Sequence, residues 1–165
     1  MATTKRISFS YKEFDSVKDL DQPEQELLKS AAKAALEAYA PYSGFKVGAA
    51  VRLESGLIVT GSNVENAAFP SGICAERNAL ANASANHPGD HPSVVAIAAI
   101  VKNDLTPDIV SPCGNCRQVI AEEEIRSGKS IRIILGSKTK VRVIEKAGDL
   151  LPLQFSRKNL RMTRR

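Results

Sequence analysis

Apolar residues recur at helical spacing between residues 27 and 36, where Leu27, Leu28, Ala31, Ala35 and Leu36 repeat every three to four positions. Asp21 offers an N-cap oxygen, Pro23 suits the first turn, and Pro41 stops the pattern, so the first helix is bracketed by its own punctuation. Lys46 to Leu53 and Leu57 to Thr60 flank Glu54-Ser55-Gly56, which predicts a hairpin. A second helix is expected from Cys74 to about Ala85, ending before the breaker His87-Pro88-Gly89. Val94 to Val101 is apolar on both faces, as in a strand covered on both sides. A third helix is expected to open near Cys116 and end before Gly128. Strand-like runs Ile131 to Leu135 and Val141 to Ile144 follow, with a helical turn around Gly148 to Leu151. This order gives an α/β sheet with helices packed on its faces.

The chain of 165 residues fits one domain, residues 1–165, with residues 1–20 as an N-terminal extension before the first helix. No apolar run approaches the roughly 20 residues that span a bilayer, and Ile7-Ser-Phe-Ser-Tyr-Lys-Glu13 is no signal-peptide core. A cytoplasmic protein without membrane contact is expected. The net charge of +5 invites a nucleic-acid reading, but the five cations of residues 157–165 account for all of it. That basic tail has no aromatic residue and the chain has no Trp, whereas single-strand binders interleave aromatics with cations. The tail therefore reads as a solvated extension, and the composition argues against a nucleic-acid partner.

Three cysteines, an odd number, suit metal binding or catalysis better than disulfides in a reducing compartment. Cys74-Ala75-Glu76 is followed 36 residues after Glu76 by Pro112-Cys113-Gly114-Asn115-Cys116, which matches the three-cysteine form of the zinc deaminase signature. Two cysteines separated by two residues converge on one ion, and a third from another helix leaves a tetrahedral Zn2+ with one open position, where water can be activated. Glu76, two residues past a ligand, is placed to move protons without binding the metal. Three thiolates leave net negative charge that opposes water ionisation. Two helix N-termini facing the sulfurs would offset it, as would a guanidinium from Arg77 or Arg117, of which Arg77 is the expected thiolate partner. A structural zinc site needs four ligands, and His87 and His91 sit together in a Pro/Gly-rich loop. A redox pair at Cys113 and Cys116 leaves Cys74 and Glu76 unexplained.

Four blocks resemble the small cytidine deaminases: Ala38-Tyr-Ala-Pro-Tyr-Ser-Gly-Phe-Lys-Val-Gly-Ala-Ala50, Asn63-Val-Glu-Asn66, Cys74-Ala-Glu-Arg77, and Pro112-Cys-Gly-Asn-Cys-Arg-Gln-Val-Ile120. The resemblance runs from about residue 24 to about residue 160. It implies a three-layer α/β/α sandwich around a five-stranded mixed sheet, and hydrolysis of cytidine or 2′-deoxycytidine to uridine or 2′-deoxyuridine plus ammonia, in pyrimidine salvage. By the same resemblance, Phe45 lines the base pocket, Asn63 and Glu65 hydrogen-bond the ribose 3′-hydroxyl, and the Ala75 N–H binds the pyrimidine carbonyl. Leu150-Leu-Pro-Leu-Gln-Phe155 resembles the segment whose phenylalanine enters a neighbouring subunit's site, which implies a homotetramer completed by Phe155. A superfamily relative acting on another aminated compound, such as blasticidin S, is disfavoured by Asn63 and Glu65. The pair Ala68-Phe69 departs from the family, which often has Ser or Cys followed by Tyr there.

Overall fold

A computed structural model describes residues 2–160, so Arg161, Arg164 and Arg165 of the basic tail lie outside the described residues. Asp21 caps the first helix, its Oδ1 accepting from the Glu24 amide at 2.9 Å, and Pro23 occupies the first turn of α1 (Gln22–Leu36). Leu27, Leu28, Ala31 and Ala35 are buried, but Leu36 is 47% exposed. One residue past Ala35 is a rotation of about 100°, which carries Leu36 off the buried stripe.

The sheet contains β1 (Lys12–Phe14), β2 (Lys46–Leu53), β3 (Ile58–Ser62), β4 (Pro92–Val101), β5 (Asp104–Leu105), β6 (Arg132–Gly136) and β7 (Val141–Ile144). Its order is β1-β7-β6-β4-β2-β3, with β5 paired to β4. Among the strands of the described residues, only β4 and β6 pair in parallel; the other strand pairs are antiparallel, so the sheet is mixed. The expectation of five strands is corrected to seven among the described residues. Five match the expected set; β5 has only two residues, and β1 comes from the supposed extension. Lys12-Glu13-Phe14 is too polar to read as a strand alone, but it lies on the edge of β7, where Glu13 pairs with Lys140 and Arg142, each at 2.6 Å. The Arg142 guanidinium also stands 5.2 Å from the Tyr11 ring centroid. Exposed pairs of this kind add little stability each. The backbone ladder and Phe14, packed against the core, complete the anchorage.

Helices cover both faces of the sheet. α1 packs Leu27, Leu28 and Ala31 onto Ala50, Ala96, Ala98 and Ile134. On the opposite face, α2 (Ala75–Asn86) and α3 (Gly114–Ser127) lay Ala79, Leu80, Ala83 and Ile120 over Ala49, Val51, Val95, Ile97 and Ile133. The run 94–101 is apolar on both sides because it alternates between two cores, with Val94, Ala96 and Ala98 toward α1 and Val95 and Ile97 toward α2 and α3. α3 is the crossover that parallel β4 and β6 require. Its Glu124 carboxylate accepts from the amides of Ile131, Ala147 and Gly148 at 2.8, 3.0 and 2.9 Å, tying the helix to β6 and to the 3-10 turn Ala147–Leu150.

Gly61 on β3 lets α2 lie directly on the sheet: a Cβ there would stand 2.5 Å from the Ala79 nitrogen and 2.9 Å from the Ala75 oxygen. Backbone atoms cannot yield as a side chain does. Gly61→Ala is therefore expected to destabilise by about 1–3 kcal/mol, read as a fall in melting temperature. An unchanged melting curve would show that α2 is free to slide on β3.

Candidate active site

The three cysteines meet because two helices begin at one place. Cys74 is the N-cap of α2, Cys113 is the N-cap of α3, and Cys116 lies in the first turn of α3. Their sulfurs all fall within 4.8 Å of one another, with Cys113 Sγ and Cys116 Sγ 3.5 Å apart. Cys116 is buried, Cys74 half-buried and Cys113 exposed, so the cluster is sealed below and open above. No fourth His, Cys, Asp or Glu joins it among the described residues, and His87 stands at the far end of α2 as its C-cap. Three thiols and an open side fit a soft, tetrahedral divalent ion such as zinc with one free position, not a closed structural site.

Burial pushes the Cys116 thiol well above the ordinary thiol range, with the neighbouring Glu76 charge acting the same way. Cys74 is raised too, chiefly by burial. At Cys113 burial acts in the same direction, but the Cys116 and Asn115 amides at the start of α3 and the neighbouring thiols outweigh it, and its pKa falls. Glu76, in the first turn of α2, is 5% exposed. Burial lifts its carboxyl above the usual range, only partly offset by its own backbone N–H and the Cys116 thiol. A carboxyl moved toward neutrality suits a group that must both take and return a proton.

Cys74 and Cys113 border a cavity of about 950 Å³, with buried Cys116 beneath them. Phe45, Asn63, Glu65, Ala75, Glu76 and Arg77, all singled out from the sequence, line it together with Cys74 and Cys113. Ala75 is fully buried as the first residue of α2, where an amide N–H has no partner within the helix. Phe155 is not in this cavity. It is 58% exposed, and its carbonyl accepts from Gln118 Nε2 at 2.9 Å. Arg77 is half-buried in the cavity wall and makes no hydrogen bond to a thiol among the described residues. Arg117 is turned elsewhere: its Nε donates to the Pro112 carbonyl at 2.8 Å and its Nη1 to the Leu150 carbonyl at 3.0 Å, bracing the loop before Cys113.

Elsewhere in the cavity lining, the 42–47 and 63–65 segments are joined by side chains. Asn63 Oδ1 accepts from the Val47 amide at 2.7 Å, and its Nδ2 donates to the Phe45 carbonyl at 3.0 Å. Glu65 Oε2 accepts from the Tyr42 and Ser43 amides at 2.9 and 3.2 Å, and Oε1 accepts from the Ser43 hydroxyl. The Ser43 hydroxyl and these amides hold the Glu65 carboxyl below its usual pKa, so it stays an anion. A carboxylate has about four acceptor sites and a primary amide two N–H bonds. One acceptor site of Glu65, on Oε1, and one N–H of Asn63 are therefore left in the cavity both residues line, an acceptor and a donor of the kind a hydroxyl can use.

Sequence reasoning missed part of the wall. Val110, Ser111 and Asn115 line the cavity, and their adjacency to Pro112, Cys113 and Cys116 is the signal that could have found them. Val47 and Ile97 also line it, and only the pairing of β2 with β4 reveals that. Phe69, 91% exposed, stands at the rim.

The model of the cytidine and deoxycytidylate deaminase zinc-binding region matches residues 21–129. A cytidine deaminase of Halalkalibacterium halodurans is 46% identical over 98 residues, 59% of this chain and 70% of the relative. One from Mycobacterium tuberculosis is 37% identical over 136 residues, 82% of this chain and 92% of the relative. The crystal structure of a cytidine deaminase from Burkholderia pseudomallei superposes with a TM-score of 0.67 at 41% identity, covering 79% of this chain and 97% of the other.

Proposed function

Because the chain belongs to the cytidine and deoxycytidylate deaminase family, whose zinc-binding region it carries, we propose that it hydrolyses cytidine and 2′-deoxycytidine to uridine and 2′-deoxyuridine plus ammonia, in pyrimidine salvage. It is a zinc-dependent hydrolase. The observation that carries the substrate reading is that one cavity joins thiols of the three-cysteine cluster and buried Glu76 with a free donor on Asn63 and a free acceptor on Glu65.

Cys74, Cys113 and Cys116 would hold the zinc. When bound, zinc lowers the pKa of water from about 15.7 toward about 7 and so supplies a nucleophile near neutral pH. Glu76 takes a proton from the attacking water and delivers it to the ring nitrogen next to the amine-bearing carbon. It then takes the remaining proton from the hydroxyl now bonded to that carbon and gives it to the amine, so that the carbonyl forms as the C–N bond breaks and ammonia leaves. The Ala75 N–H orients the pyrimidine carbonyl, Phe45 packs on the base, and Asn63 and Glu65 take the ribose 3′-hydroxyl. Phe155, exposed in the single chain, would enter the cavity of a neighbouring copy, the arrangement of a homotetramer. Residues 1–165 act as one domain in the cytoplasm. No helix among the described residues is long and apolar enough to cross a membrane.

Ammonia release from a panel of nucleosides, bases, nucleotides and a cytosine-containing oligonucleotide, with zinc counted per chain, tests the reading. Turnover of cytidine and deoxycytidine with one zinc per chain is expected; reaction of the oligonucleotide alone would overturn it.

Arg77 makes no hydrogen bond to a thiol among the described residues, contrary to expectation, but as a half-buried cation in the same cavity wall it is assigned the role of tempering the negative charge of three thiolates. Arg77→Ala should move the acid limb of the kcat profile to higher pH, because uncompensated negative charge disfavours ionisation of water beside it. An unmoved profile would remove Arg77 from the charge balance.

A further inference from the structure

Ser43 stands at the crossing of the segments that recognise substrate, and nothing in the proton chemistry requires it. Its hydroxyl oxygen accepts from the Phe45 amide at 3.0 Å while its proton goes to Glu65 Oε1. The side chain thus joins the backbone of the base-packing residue to the carboxylate of the sugar-binding residue, across 22 positions of sequence. Both connections are specific to a hydroxyl, since only a group that donates and accepts at once completes the chain from Phe45 N–H to Glu65.

We propose that Ser43 is a positioning residue for the nucleoside sugar, which rests on the cytidine reading above. By occupying one acceptor site of Glu65 Oε1, it leaves that oxygen a single site and fixes the direction from which a hydroxyl must approach. The two amides on Oε2 prevent the carboxylate from turning to offer its other oxygen. Asn63 is fixed in turn by Val47 and Phe45, which leaves its remaining N–H in the cavity that Glu65 also lines. Ser43 therefore acts through Glu65, and its contribution appears only with substrates that carry the sugar hydroxyl.

The test is steady-state kinetics of Ser43→Ala and Ser43→Thr on cytidine and on 3′-deoxycytidine, with zinc content and melting temperature measured for each. Ser43→Ala should raise KM for cytidine by about tenfold, the loss expected when a hydrogen bond to a charged group is removed, with kcat within about twofold. On 3′-deoxycytidine the variant should match the wild type, and Ser43→Thr, which keeps a hydroxyl, should restore KM on cytidine. Equal KM losses on the two nucleosides, or no loss on either, would overturn the role of Ser43. A fall in kcat with KM unchanged would overturn it too. A wild type inert on cytidine would instead overturn the substrate reading itself, which keeps the two failures distinct.

Discussion

Glu76→Gln is expected to abolish deaminase turnover while leaving zinc at one per chain. The amide is nearly the same size and shape, so it fits the pocket in which Glu76 is 5% exposed, and the substitution leaves all three thiols in place. It can neither accept a proton from water nor hold one for the ring nitrogen and the amine. Loss of general acid and base action costs roughly 100 to 10,000-fold, and serving several transfers in one cycle places Glu76 at or beyond the upper end. The melting temperature should not fall, because burial already opposes the charged form of Glu76 and the amide carries no charge. Ammonia release and metal analysis on the same preparation decide the matter: substantial turnover with zinc bound would move the proton work to another group.

Cys113→Ala should remove zinc and activity together. Cys113 is exposed, so its loss leaves no large hole in the core, unlike loss of buried Cys116. Two thiols cannot hold the ion against water as three do, and the metal content should fall well below one per chain. Binding to the folded state alone adds stability of about 2.7 kcal/mol when the free ion is a hundredfold above its dissociation constant. The wild type should therefore melt at a lower temperature in chelator, whereas Cys113→Ala should melt near that lower value with or without added zinc. A variant that keeps stoichiometric zinc would place the metal on other donors. Because the pKa values of Cys74 and Cys116 are raised in the metal-free chain, zinc uptake must displace their protons, and the response to zinc should weaken as the pH falls.

Features encoded within a few residues are legible in the sequence. α1 begins at Asp21 and Pro23 as their chemistry requires, and the two cysteine segments open α2 and α3. β2 and β3 match the hairpin to within two residues, because Glu54-Ser55-Gly56 is a local turn signal. Features made by distant partners are not legible in this way. β1 is a strand because residues 12–14 find β7, more than 120 positions away, and its own composition is that of a polar arm. Arg117 follows directly on Cys116 and by position could reach a thiol, yet carbonyls from Pro112 and Leu150 take two of its nitrogens. Resemblance gives Asn63 and Glu65 a ligand role, but their internal bonds to the 42–47 segment, which leave one donor and one acceptor over, follow from the packing of the loops.

The sequence by itself determined the kind of chemistry: three thiols and a carboxyl at spacings of two and three residues, on segments whose caps and periodicity start helices. Short covalent spacing restricts the positions of groups within each segment, whereas the meeting of Cys74 with Cys113 and Cys116 is made by the packing of α2 and α3. Only the tertiary structure decided which donors and acceptors remain for a substrate, where Arg117 and Phe155 point, and that a polar N-terminal segment closes the sheet edge. Those outcomes depend on which distant groups meet once two cores close-pack against the sheet, and a hydrogen bond made inside the fold is one that no ligand can use.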